Sequence, residues 1–267
     1  MKDFDLSGKV AIVTGATGLI GSHHCRALAD AGATVIACDI NQEKLDTLIK
    51  ELGDAHRSFA CDITSEEELI ACRDFVLSAF GRIDVLVNNA AINDMFEDPA
   101  MAAEQSKFEN YPVDMFKKSL EVNVTGMFLC SQILGTPMAE QGSGSIINVA
   151  STYGVVGPDQ SIYRNREGQQ TFYKSAAYPT TKGAVINFTR FLSAYWGAKG
   201  VRVNTLSPGG VENGQDDWFV ENYSAKTALG RMAGANDYRG AVVYLASDAS
   251  SYMTGANLIV DGGWTAM

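Results

Sequence analysis

The stretch Gly8-Lys9-Val10-Ala11-Ile12-Val13-Thr14 constrains the fold of this chain more than any other. It is apolar at successive positions, so a strand here must bury both of its faces, as strands of a parallel sheet do. Glycines follow at once. Thr14-Gly15-Ala16-Thr17-Gly18-Leu19-Ile20-Gly21 runs into a helix-like segment over roughly 19–31, with Gly32 as its stop. Strand, glycine loop and helix together make a phosphate cradle. Glycine lets the backbone turn tightly and approach a pyrophosphate, and the free N–H groups at the helix start complement its charge. Gly15, Thr17, Gly18, Leu19, Ile20 and Gly21 are therefore candidate cofactor contacts, although the same glycines would serve an ordinary strand-to-helix turn.

The alternation repeats. Thr34-Val35-Ile36-Ala37-Cys38 is a second buried strand and ends on Asp39, followed by Ile40. A carboxylate there can accept from both adenosine ribose hydroxyls and repels a 2′-phosphate, which favours NAD over NADP. The alternative is a cap for the next helix, a task that Asn41 can also perform. A helix over 42–52, a strand ending at Ala60-Cys61-Asp62-Ile63, and a helix after Thr64 with Glu67 placed for a capping box come next. Asp62, at a strand end, is placed to bond the adenine amino group, with Ile63 beside it. Arg82-Ile83-Asp84-Val85-Leu86-Val87 reads as a fourth strand, and its small-residue exit, Asn88-Asn89-Ala90-Ala91, lets a dinucleotide lie against the backbone. This pattern predicts an α/β fold: a single-domain, Rossmann-type doubly wound parallel sheet with helices on both faces.

With 267 residues, 46% hydrophobic, the chain can bury a sizeable core as one domain over 1–267. Its 21 Lys+Arg against 31 Asp+Glu give a net charge of −10, which repels nucleic acid and anionic membranes and leaves small molecules as the expected partners. No apolar run approaches a membrane span, and the opening residues lack a signal-like segment, so a cytoplasmic protein is expected. The five cysteines, Cys25, Cys38, Cys61, Cys72 and Cys130, form no C-x-x-C pair and read as reduced, buried thiols. His23 and His24 point about 100° apart on a helix and His56 stands alone, so no metal site is expected.

Tyr178-Pro179-Thr180-Thr181-Lys182 places a phenol and an ammonium one helical turn apart. A fixed cation favours the phenolate, which would make Tyr178 a general acid/base; a solvated Tyr and Lys would show the same spacing. An apolar strand, Ser145-Ile146-Ile147-Asn148-Val149-Ala150, delivers Ser151, and a helix over about 112–135 carries Asn123. Ser151 lacks a histidine neighbour, so it is read as a group that holds and polarises the reacting oxygen, not as a nucleophile. Asn123 is either functional or a buried packing group.

In order along the chain, the glycine loop, Asp39 and Asp62, Asn88-Asn89-Ala90-Ala91, Asn123, Ser151, Tyr178-x-x-x-Lys182 and Ser207-Pro208-Gly209-Gly210 resemble the short-chain dehydrogenase/reductase family over essentially the whole length. The resemblance implies a tetrad of Asn123, Ser151, Tyr178 and Lys182, with Lys182 also bonding the nicotinamide ribose and Asn123 organising a water relay. It further implies that Pro208, Gly209 and Val211 close over the nicotinamide, and that the chain forms a homotetramer or homodimer. Asn89, Ala90 and Ala91 complete the implied cofactor contacts. One departure is the T-G-x-x-G-x-x-G spacing of Gly15, Gly18 and Gly21, which resembles the longer, sugar-nucleotide-modifying branch, whereas the downstream motifs match the shorter one.

Three excursions border the expected cleft: about 92–118, 155–177 and 212–230. The first holds Met95, Phe96, Met101, Phe108 and Tyr111, as a cleft wall or a packed surface excursion. In the second, 27 positions separate Ser151 from Tyr178, and polar residues including Arg164 suit a polyhydroxylated or anionic ligand, or else a solvated flap or subunit contact. In the third, Asn213 can bond hydroxyls and Trp218 can stack on a sugar face or anchor the loop. Substrate contacts are thus expected from Ser151, Tyr178, Arg164, Asn213 and Trp218.

These features predict an NAD(H)-dependent oxidoreductase interconverting a secondary alcohol and a ketone on a sugar-, polyol- or hydroxy-acid-like substrate. A narrower similarity is to members associated with surface-polysaccharide or flagellin-glycan synthesis and to gluconate dehydrogenase-like members. The alternatives are a 3-oxoacyl-thioester reductase, which Asp39 and the net charge oppose, and a non-catalytic NAD-binding regulatory or scaffold protein, which the complete tetrad opposes.

Overall fold

A computed structural model of the chain describes residues 2–93 and 99–267. Seven strands build one sheet: β1 (Val10–Thr14), β2 (Thr34–Asp39), β3 (Arg57–Ala60), β4 (Val85–Asn88), β5 (Gly144–Val149), β6 (Val201–Pro208) and β7 (Asn257–Val260). Their order is β3-β2-β1-β4-β5-β6-β7 and every neighbouring pair is parallel. The helices are α1 (Gly21–Asp30), α2 (Gln42–Leu52), α3 (Glu66–Phe80), α4 (Pro99–Gln105), α5 (Val113–Leu120), α6 (Met127–Gln141), α7 (Ala177–Trp196), α8 (Asp217–Ser224) and α9 (Arg239–Ala246). The strand order reverses between β1 and β4, and in such a sheet the crevice beyond the strands' carboxyl ends opens at that point.

Every residue of β1 is buried, as an apolar run without alternation requires. Ala11 and Val13, with Val35 and Val87, pack through Leu28, Leu45 and Leu245 onto the layer of α1, α2 and α9. Val10 and Ile12, with Ile36 and Leu86, pack through Leu69, Leu134 and Trp196 onto the layer of α3, α6 and α7. Each fully buried leucine contributes about 2 kcal/mol, so both layers hold the strand ends, and the loops leaving them, in fixed positions.

Two local expectations change. β3 ends at Ala60, which leaves Asp62 and Ile63 on the loop beyond it. The cap of α3 is Ser65, whose side chain accepts from the Glu68 N–H at 3.3 Å. Thr64 instead donates to Asp62, and it is Glu68, not Glu67, that reaches back, to the Asp62 N–H at 2.7 Å. The helix expected over 112–135 spans α5 and α6, joined without a break by a π-helical turn at Glu121–Gly126. A β-carbon on Gly126 would lie 2.7 Å from Ile63 Cδ1, so this turn packs directly beneath the Asp62–Ile63 loop.

All five cysteines are buried, with Cys38 Sγ 3.6 Å from Cys72 Sγ. Burial pushes the Cys25 and Cys61 thiols up to about 12, so both stay protonated. Among the described residues, no helix is long and apolar enough to cross a membrane and no His/Cys/Asp/Glu group is arranged to hold a metal.

Candidate active site

The ends of β1 and β4 are stitched together. Thr14 Oγ1 accepts from the N–H groups of Asn89 and Ala90 at 3.1 and 3.2 Å, and the Asn89 carboxamide donates to the carbonyls of Thr14 and Gly15, each at 3.0 Å. Gly15 has φ +61°, and a β-carbon there would sit 2.7 Å from Ala90 Cα. A β-carbon on Gly21 would be 2.1 Å from the Gly15 carbonyl oxygen. The unusual glycine spacing therefore still closes a compact loop, in which the Gly18 N–H donates to the Gly15 carbonyl at 3.1 Å.

Asp39 stands where β2 leaves the sheet. Its carboxylate accepts from the Thr17 N–H at 3.0 Å and the Asn41 N–H at 3.2 Å. The cap of α2 is Asn41, which accepts from the Lys44 N–H at 3.0 Å, so Asp39 is not engaged as a helix cap. One carboxylate oxygen of Asp62 accepts from the Thr64 N–H and hydroxyl at 2.9 and 2.7 Å, and these bonds hold its pKa below the ordinary value.

These groups line a single cavity of about 770 Å³. It is bounded at one side by Gly15, Thr17, Gly18, Leu19, Ile20 and Gly21, with Asp39 and Ile40, Asp62 and Ile63. Asn89, Ala90 and Ala91 line it as well, as do Pro208, Gly209 and Val211. Glycines whose β-carbons would clash, a rim carboxylate and a cavity of this size fit a dinucleotide.

Ser151, Tyr178 and Lys182 line the same cavity. Ser151 lies two residues past β5 and its side chain is hydrogen-bonded to that of Tyr178, the second residue of α7. Lys182, one turn on, is buried and donates to the Val149 carbonyl at 2.8 Å, with Nζ 5.6 Å from the Tyr178 ring centroid. Burial pushes the Lys182 ammonium down to about 8. It also pushes the Tyr178 phenol up, with the Ser151 hydrogen bond opposing it. The expected lowering of the phenol by Lys182 is thus corrected for the protein alone: loss of water around a phenolate outweighs the other influences.

Asn123 does not line the cavity. It lies in the π-helical turn, buried, where its carboxamide accepts from the Ile92 N–H at 2.8 Å and donates to the Ile92 carbonyl at 2.9 Å and to Thr181 Oγ1 at 3.1 Å. Thr181 in turn donates to the Tyr178 carbonyl at 2.8 Å. In this structure Asn123 joins the β4 exit loop to the first turn of α7.

The substrate side differs from expectation. Arg164 and Asn213 are exposed and Trp218 packs edge-on against Phe219; none of the three lines the cavity. The polar side chains of the 155–177 excursion bond mainly within it: Arg164 and Asn165 to Gln170 and Gln169, and Gln160 and Gln170 to the backbone of the same loop. The wall is built instead by Tyr153, Tyr163, Lys174, Gln215, Phe219, Tyr223 and Met232, with Ile92 and Asn93 from the first excursion, whose Lys118 lines the cavity near Asp62. Met95, Phe96 and the side chain of Met101 lie outside the described residues, and Phe108 is exposed. The aromatic wall has a signal in the sequence. Tyr163, Phe219 and Tyr223 lie in the same excursions as the polar residues, Tyr153 just before one of them, and all four pack with Ile162 and Trp264.

A doubly wound parallel sheet with a dinucleotide-sized cavity at its switch point, and a Ser-Tyr-Lys group at one end, defines a nicotinamide-dependent oxidoreductase. A family model described as "Enoyl-(Acyl carrier protein) reductase" matches residues 15–265. D-threitol dehydrogenase of Mycolicibacterium smegmatis is 38% identical, covering 98% of this chain and 95% of the relative. 3-alpha-(or 20-beta)-hydroxysteroid dehydrogenase of Mycobacterium bovis is also 38% identical, covering 98% of this chain and 91% of the relative. A solved gluconate 5-dehydrogenase from Burkholderia cenocepacia, in complex with NADP and tartrate, superposes with a TM-score of 0.86 at 30% identity, covering 99% of this chain and 98% of that one. The chain belongs to the short-chain dehydrogenase/reductase family. It is an oxidoreductase of the CH–OH/C=O class that uses a nicotinamide dinucleotide.

Proposed function

We propose that this chain is an NAD(H)-dependent dehydrogenase interconverting a secondary alcohol and a ketone on a polyol-, sugar- or hydroxy-acid-like substrate. The observation that carries the reading is the convergence of Ser151, Tyr178 and Lys182 on the cavity that Asp39 and the glycine loop also line. When bound, the nicotinamide supplies the hydride acceptor or donor. Ser151 holds the reacting oxygen. Tyr178 takes the hydroxyl proton as the carbinol carbon is oxidised, or returns it in reduction, and Lys182 stabilises the phenolate. Gly15, Gly18 and Gly21 would hold the pyrophosphate, Asp62 and Ile63 the adenine, and Pro208, Gly209 and Val211 the nicotinamide end. Asp39, held by two N–H groups, would accept from the ribose hydroxyls and repel a 2′-phosphate, which supports NAD.

Support for a polar substrate comes from the phenols on the cavity wall and from the threitol and gluconate relatives. A second reading, an alicyclic alcohol, is favoured by the aromatic cluster of Tyr153, Tyr163, Phe219, Tyr223 and Trp264 and by the hydroxysteroid relative. A 3-oxoacyl-thioester reductase would need the opposite cofactor and a basic surface for an acidic carrier, and a non-catalytic NAD-binding protein would not need Ser151, Tyr178 and Lys182 together. The test is absorbance at 340 nm with NAD and NADP offered separately against polyols, aldonates, sugars, alicyclic alcohols and 3-oxoacyl thioesters. Turnover of thioesters alone with NADPH would overturn the reading.

A homo-oligomer is supported by an uncovered aromatic face. On α7, Phe191 and Tyr195 are 60% and 63% exposed and stack on one another, beside Phe128 of α6. A second copy of the chain is the proposed cover. Phe191→Glu should lower the assembly's mass by light scattering; an unchanged mass would place the contact elsewhere.

A further inference from the structure

The excursion between Ser151 and Tyr178 holds one backbone position with unusual firmness. The Gln160 carboxamide accepts from the Lys174 N–H at 2.9 Å and donates to the Lys174 carbonyl at 3.0 Å, so it brackets that residue from both sides. Gln170 secures the bracket by donating to the Gln160 carbonyl at 2.7 Å and the Phe172 carbonyl at 2.8 Å. Lys174 is itself buried, 9% exposed, and its ammonium donates to Asn93 Oδ1 on the β4 exit loop. There it lies over the Tyr178 ring, 4.5 Å from the centroid, nearer than Lys182 at 5.6 Å.

Among the described residues, the titratable groups that face Tyr178 are few. Lys182 comes from its own helix, Lys174 from the preceding loop, and the phenols of Tyr163 and Tyr223 from the excursion and from α8. Both phenols are held neutral by burial. Among the described residues, the charges at the ring are therefore two ammonium groups. One is fixed by the helix repeat and the other by the glutamine bracket.

Resting on the reading of Tyr178 as acid/base, we propose that Lys174 is a second positioning ammonium for that tyrosine, and that the polar excursion serves to hold it in place. A cation a few ångströms from a phenolate in a half-dry cleft favours the ionised form. Lys182 alone is committed to the Val149 carbonyl and is itself weakened as a cation by burial. A second ammonium offsets the burial that disfavours a Tyr178 phenolate.

The test follows the Tyr178 phenolate at 295 nm in the NAD-saturated enzyme, as the difference between each protein and its Tyr178→Phe counterpart, and sets it beside the acidic limb of the kcat/KM profile. Lys174→Met and Lys174→Gln are expected to raise both midpoints by about one pH unit, and Lys174→Arg to restore them. Unmoved midpoints in Met and Gln variants with native melting temperatures would overturn the inference, as would a change confined to KM, which would make Lys174 a substrate contact. Substantial turnover by Tyr178→Phe would instead remove the reading on which it rests. Should Lys174→Met not fold, the Gln variant, which keeps a polar group for Asn93, carries the measurement.

Discussion

A methyl group on Gly21 would lie 2.1 Å from the carbonyl oxygen of Gly15, so the first and third glycines of the loop are in direct backbone contact. Gly18 differs: a β-carbon there meets the same oxygen only at 3.2 Å. Gly21→Ala is expected to cost about 2 kcal/mol of stability and to abolish the rise in melting temperature on adding NAD. Gly18→Ala should fold normally. Thermal melts of both variants with and without NAD check this, and a normal NAD response in Gly21→Ala would contradict the loop geometry.

Tyr178→Phe removes the proton-transfer group but leaves the ring that packs under Lys174 and Lys182. Turnover should fall by about a thousandfold, with NAD binding, read by fluorescence quenching, nearly unchanged. Residual activity within tenfold of the parent would assign the proton transfer to another group.

Asp39→Ala deletes the rim carboxylate while Lys44, in the first turn of α2, continues to line the same cavity. The preference for NAD over NADP, as a ratio of kcat/KM, should narrow by about tenfold or more. A ratio that does not move would locate the selectivity elsewhere on the rim.

His24 carries an acid-lability prediction. It is fully buried in α1, with neither ring nitrogen hydrogen-bonded, and burial pushes its pKa down from 6.5 to about 4. The folded state therefore binds fewer protons than the unfolded state between those values. His24 costs nothing above about pH 6.5, and as pH falls from there to about 4 the protein should lose about 3 kcal/mol. His56, also lowered by burial, acts in the same direction. Urea midpoints at pH 7.5 and 5.0 should diverge more for the parent than for His24→Leu, and equal divergence would refute the assignment.

Much of the fold was legible because apolar runs such as Val10–Thr14 must be covered on both faces, and only a parallel sheet between helices does that. The cofactor side was legible for a related reason: Asp39 ends a strand, and Gly15, Asp62 and Asn89 lie one or two residues past one, and the topology alone brings strand ends together. The substrate side was not. Arg164 and Asn213 are polar residues on loops, and sequence does not reveal whether a loop amide turns to a ligand or to its own backbone; here Gln160 and Gln170 do the latter. The sequence around Asn123 predicts a regular helix, whereas the π-helical turn carries it to Ile92 and Thr181. The upward shift of the Tyr178 phenol is not legible in the sequence, because spacing discloses a neighbouring charge and conceals how much water has been displaced.

The buried thiols give this molecule an internal clock. All five cysteines are buried, so an alkylating reagent reacts with each only as fast as the structure opens around it. Cys61 lines the cavity beside Asp62 and also packs with Cys38, Cys72 and Cys130 in one helix–sheet layer, whereas Cys25 lies in the layer on the other face of the sheet. Mass-resolved labelling would then separate the rate at Cys61, slowed when the cavity is occupied, from those at Cys25 and at Cys38, Cys72 and Cys130, each set by how often its own layer parts from the sheet.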